Sequence, residues 1–87
     1  MEEMVLPILK VDLQVSSTAL DTYLTSLIQA AMQYITKEGI TLTPDDYMLV
    51  EMYAAYLYRK RREENAAMPR MLRWALNNRL FGGNTNG

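Results

Sequence analysis

The sequence predicts an all-α protein: a compact bundle of about four helices, with a short first helix, two long central helices, a C-terminal helix and a flexible tail. Three observations predict this. Apolar side chains recur at the helical period from Leu20 to Ile35. Thr43-Pro44-Asp45-Asp46 is a helix start, with an N-cap hydroxyl, a proline in the first turn and acids where the macrodipole favours them. Pro69 opens a further periodic segment, in which Leu72, Ala75 and Leu76 share one stripe. With 87 residues the chain makes one domain. We assign residues 1–81 to the helical unit and 82–87 to the tail.

The first helix is expected over Leu6–Leu13, with Pro7 in its first turn and Ile8, Leu9 and Leu13 near one face; its valine content leaves a strand open. Ser16-Ser17-Thr18 breaks the chain, and Ser17 is the expected N-cap of the second helix, with Asp21 in its opening turns. That helix carries Leu20, Leu24, Leu27, Ile28, Ala31 and Ile35 inward and ends at Gly39, a left-handed C′ residue, after Lys37 in the last turn. The third helix starts at Thr43-Pro44 and runs to about Glu64. Its middle, Met48 to Tyr58, is apolar nearly all round, which marks a buried helix. In so short a chain little is available to cover it, so part of its surface is expected to meet another copy or another protein. The fourth helix is expected from Pro69 to about Leu80, followed by Gly82-Gly83-Asn84-Thr85-Asn86-Gly87, which cannot form a core element.

Composition narrows the function. The chain has no Cys, so disulfides and thiolate metal sites are excluded and a reducing compartment is expected. It has no His, which removes the commonest general base and metal ligand. Asp45-Asp46 is explained by helix initiation and Glu63-Glu64 by the four cations beside it. No Gly-rich phosphate loop precedes a helix. We therefore expect no enzyme activity, no cofactor and no metal. No apolar run approaches a membrane span, and the acidic Met1-Glu2-Glu3 start argues against a secretory signal.

The net charge of −1 hides a polarity. Residues 1–52 hold two lysines against eight carboxylates, a net −6, whereas residues 53–87 hold seven cations against two glutamates, a net +5. Such a split suits head-to-tail contact between copies or contact with an anionic partner. The expected contact brings the acidic Asp45, Asp46 and Glu51 of one copy to the basic Arg59, Arg61, Arg62, Arg70 and Arg73 of the next. Tyr53, Tyr56 and Trp74 are the expected aromatic contributors. Trp74 stands between the apolar and polar stripes of its helix, so it suits the core or an interface centre equally.

Three segments resemble the head–tail connector (adaptor) proteins of tailed bacteriophages. Leu24-Thr25-Ser26-Leu27-Ile28-Gln29-Ala30-Ala31, after a short helix and a serine-rich break, resembles the opening of that family. Met52-Tyr53-Ala54-Ala55-Tyr56-Leu57-Tyr58-Arg59-Lys60-Arg61 resembles its third helix. Met68-Pro69-Arg70-Met71-Leu72-Arg73-Trp74-Ala75-Leu76-Asn77-Asn78-Arg79 resembles its last. The resemblance spans roughly residues 6–81. It implies a ring of about a dozen subunits beneath the portal, a closed heterologous assembly. The ring would bridge portal to tail-side proteins, retain packaged DNA and pass it through a channel, with non-specific DNA contact and no membrane role. The implied setting is the virion head–tail junction, or the bacterial cytoplasm for a prophage. The Gly/Asn-rich end is shorter than in many such proteins.

A helix-turn-helix regulator is the alternative. Arg70, Arg73, Asn77 and Asn78 are suitable base-reading types. Against it stand a pI near 5.3 and a link at Ala66-Ala67-Met68 without glycine.

Overall fold

The computed structural model describes residues 1–85, and every regular element among them is helical. Helix α1 is Glu2–Leu13, α2 Asp21–Lys37, α3 Tyr47–Arg62 and α4 Arg70–Thr85, with a single 3-10 turn, Pro44–Asp46, leading into α3. The body is flattened, with principal extents of 42 × 29 × 19 Å. Helix α3 is its centre: α1, α2 and α4 all pack on it, α2 most extensively. The core they share contains Val5 and Leu9 of α1, Leu24, Ile28 and Ile35 of α2, Val50 and Ala54 of α3, and Leu72 and Leu76 of α4.

This arrangement accounts for the apolar girth of α3. Leu49, Val50, Tyr53, Ala54 and Ala55 are all buried within the chain. Three neighbours within the chain thus cover most of this helix. Met48 is the large apolar side chain of α3 that stays well exposed, at 46%.

The ends of α1 differ from expectation. It begins at Glu2, so Pro7 sits inside the helix and not in its first turn. Glu2 and Glu3 occupy the first turn, where the dipole favours them, and the amides of Met4 and Val5 both donate to the Met1 carbonyl. Pro7 removes one backbone bond, but it lies on the exposed side while Val5 and Leu9 around it are fully buried. Burial of these two side chains, each about 1.5–3 kcal/mol, offsets the lost bond. The helix closes in a Schellman motif: Val15 N–H donates to the Lys10 carbonyl at 2.9 Å and Gln14 N–H to that of Val11 at 3.1 Å. Gln14 takes the left-handed conformation this requires, with φ 59°.

Helix α2 begins at Asp21, not at Thr18, and Ser17 is not its cap. The Ser17 hydroxyl instead accepts the Ala19 N–H at 3.0 Å, ordering the turn ahead of the helix. At the other end Gly39 has φ 104°. A Cβ there would lie 3.4 Å from Leu80 Cδ1, an ordinary contact, so it is the backbone conformation that favours glycine. The start of α3 agrees with its sequence: Asp46 reaches back to accept the Thr43 N–H at 2.9 Å, the reciprocal half of a capping box. Helix α4 begins one residue after Pro69, whose carbonyl accepts the Arg73 N–H. It runs to Thr85, past the expected end at Leu80, so the backbone of 82–85 continues the helix where a flexible tail was expected. Asn86 and Gly87 lie outside the described residues.

Gln14 is exposed and bears a side chain at a left-handed position that glycine adopts without strain. Gln14→Gly should raise the unfolding free energy by about 0.5–1 kcal/mol in urea denaturation.

Candidate interaction surface

Much of the charge polarity is resolved inside the molecule. Arg59 of α3 reaches Asp12 of α1 at 3.6 Å. Arg73 of α4 grips Glu38 with both guanidinium nitrogens, at 3.0 and 3.2 Å. Arg79 of α4 donates to Asp46 at 2.8 Å and to the Thr41 carbonyl at 2.7 Å. Each pair joins the basic half of the sequence to the acidic half. Asp46 is only 8% exposed. Burial alone would raise the pKa of its carboxyl, but the hydrogen bonds from Arg79 and Thr43 outweigh burial and hold it below the usual value. Three of the residues expected at a subunit contact thus also have places within the chain: Asp46 and Glu51 are buried, and Arg73 has a partner in its own chain. Tyr53 is buried as well, in a stack with Tyr34 at 5.8 Å and an edge contact with Tyr56 at 5.9 Å.

Trp74 is 65% exposed, which removes it from the core and places it on the surface. It borders a depression between α3 and α4 that also includes Asp45, Met48, Met52 and Asn78. Met48 borders a second depression on its other side, between α1 and α3, with Pro7, Ile8 and Val11. Val11 is 79% exposed. The outer sides of α4, α3 and α1 therefore carry one continuous apolar strip, Trp74–Met48–Val11. Met71 extends it along α4, one helical turn before Trp74 and also exposed. The sequence pattern named Trp74 but missed Met48 and Val11. Val11 falls off the buried face that Val5 and Leu9 define, and that misfit was the available signal.

The C-terminal end of α3 is basic and set on aromatic rings. Lys60 lies over Tyr56, Arg61 over Tyr23 and Arg62 over Tyr58, each 5.7 Å from the ring centroid. Arg62 also donates to the Tyr58 hydroxyl at 3.1 Å. These contacts hold exposed cations in place without neutralising them. Arg70 is exposed at the first turn of α4.

Glu51, expected as an exposed contact acid, lies in the interior. It is 4% exposed, and its Oε2 has no hydrogen-bond partner among the described residues. Burial first, then the hydrogen bond and negative charge of Asp12, push its carboxyl up to about 8, with Arg59 opposing. Among the described residues no group of three or more His, Cys, Asp or Glu could hold a metal ion, and no helix is long and apolar enough to cross a membrane.

No protein-family model matches the chain, and no curated protein or solved structure shows significant similarity to it.

Two predictions follow from the carboxylates. The folded pKa of Glu51 lies above the 4.5 of its reference state, so its contribution to stability is complete below about pH 4.5. It is lost as pH rises toward 8. Unfolding free energy should therefore fall between pH 5 and 8, and Glu51→Gln should remove most of that fall and exceed the wild type at pH 8 by roughly 1–3 kcal/mol. Asp46→Ala should destabilise the chain by about 2–4 kcal/mol at pH 7, because it removes the cap and leaves Arg79 beside an empty site. Both are read by chemical denaturation monitored by circular dichroism.

Proposed function

We propose that the chain is a structural subunit of a phage or prophage head–tail connector. It assembles into a ring beneath the portal, joins head to tail, and helps to retain and pass packaged DNA. The observation that carries this reading is the continuous apolar strip Trp74–Met48–Val11 on a small helical domain. A strip of this kind, rimmed by the charges of Asp45 and Asp12, is a protein contact surface. The order and spacing of the helices support the same reading, since they follow the connector-like segments of the sequence. The exposed Lys60, Arg61 and Arg62 supply cations for non-specific contact with DNA or with acidic groups of neighbours. The portal and a tail-side protein are the implied partners, and the virion head–tail junction, or the bacterial cytoplasm for a prophage, is the implied location.

The geometry offers less to a helix-turn-helix regulator. Seven residues, 63–69, separate α3 from α4, whereas that motif uses a turn of about 3–4 residues. Arg73 and Arg79, two of the cations on the final helix, are held by carboxylates of the same chain.

Light scattering and electron microscopy of the purified chain, with and without a portal ring, test the proposal. Concentration-dependent assembly into closed rings is expected, slowed at high salt because rim charges govern encounter more than affinity. Trp74→Ala should weaken assembly by about tenfold or more while changing fold stability by only about 0.5 kcal/mol, as suits an exposed site. A chain that stays monomeric at every concentration and does not bind a portal overturns the reading.

A further inference from the structure

The groove between α1 and α3 combines two features that seldom occur together. Its walls are apolar, from Pro7, Ile8 and Val11 of α1 and Met48 of α3, and its lining also includes two acidic residues, Asp12 and Glu51. Glu51 is nine-tenths buried, and its Oε2 lacks a donor. The nearest cation, Arg59, reaches Asp12 at 3.6 Å and serves that carboxylate instead. An unsatisfied buried carboxyl oxygen is costly, so a cationic donor that displaced the Glu51 proton and its hydrogen bond to Asp12 would find an acceptor there. Apolar walls leading to a carboxyl pair fit the shape of one kind of side chain. Arginine and lysine lay an aliphatic stem along apolar surface and present a cationic head beyond it, and a guanidinium can bond two carboxyl oxygens at once.

The chain carries such side chains at a second place. Arg61 and Arg62 are exposed at the end of α3, steadied by Tyr23 and Tyr58. They lie about ten residues beyond Glu51 on the same helix, roughly 15 Å along its axis. The groove and the basic end are therefore different patches of one molecule, with opposite charge.

Building on the ring assembly proposed above, we infer that the α1–α3 groove is the acceptor half of the subunit contact and that the Arg61–Arg62 pair of a second copy enters it to meet Glu51 and Asp12. Because donor and acceptor are separate patches, each docked pair still presents one unfilled groove and one undocked basic end, as ring growth requires. The contact is also coupled to protons. Glu51 faces Asp12 from α1 and Arg59 from its own helix, and it keeps its proton up to about pH 8. An entering guanidinium favours the carboxylate and expels that proton, so association strengthens as pH rises. A contact between ordinary surface charges has no such dependence in this range.

Sedimentation velocity of the full chain at pH 6.5 and 8.5 tests this. Wild type should associate about threefold or more tightly at the higher pH. Glu51→Gln and the double variant Arg61→Ala/Arg62→Ala should each associate about tenfold or more weakly, with the Glu51→Gln chain losing the pH dependence while melting no earlier than wild type. Mixed in equal amounts, the two variants should form pairs that stop at two subunits, since one keeps the donor and the other the acceptor. If Glu51→Gln assembles as well as wild type, or if the mixture associates no better than either variant alone, the groove is not the acceptor, although the ring reading survives. A wild type that never associates overturns the ring reading itself.

Discussion

Three helices converge on α3, whose Val50, Tyr53 and Ala54 share one face at helical spacing while Ala55 lies further round the axis. The two alanines are almost wholly enclosed, so the helix is slim where its neighbours close around it. Overpacking at such points costs about 1–3 kcal/mol, which makes them a tight constraint. The flattened shape follows. Helices α1, α2 and α4 all pack on α3, and the apolar strip forms where the α3–α4 and α1–α3 depressions share the uncovered Met48.

Charge has a structural role before it has an intermolecular one. Arg73 and Arg79 hold α4 at two points, on either side of the buried Leu76. Their partners, Glu38 and Asp46, lie at the two ends of the connector between α2 and α3. An exposed pair such as Arg73–Glu38 contributes about 0–1 kcal/mol, so its main effect is orientation. Asp46 matters more because it serves two masters, the N-terminus of α3 and the guanidinium of α4.

The four helices were legible because their strongest signals are local. Thr43-Pro44 and Gly39 act through backbone geometry that the residues themselves impose, and the structure follows both. The shifted starts have a different origin. Pro7 reads as a first-turn residue, yet tertiary burial of Val5 and Leu9 carries the helix across it. Ser17 has the chemistry of a cap but uses it in the preceding turn. The candidate surface was only partly legible. Trp74 stood out by type and Arg61 and Arg62 by charge. Glu51 was named by its charge, but its burial beside Asp12 was not legible, because a glutamate among apolar residues gives no sign of which neighbour it meets until α1 is folded against α3. Asp46 and Arg73 were legible as charged groups, but their partners lie 33 and 35 residues away in sequence.

The two-point attachment of α4 has a consequence for evolution and engineering of this surface. Trp74 is displayed by a helix anchored to the α2–α3 connector and to the core leucines, and the Arg79–Asp46 anchor lines the same depression as Trp74. A side chain at Gly39 would strain the left-handed turn of this connector, whose Thr41 carbonyl accepts from Arg79 of the helix that presents Trp74. The strip itself can drift in sequence to match a changing neighbour, while the connector that points it has little freedom to vary.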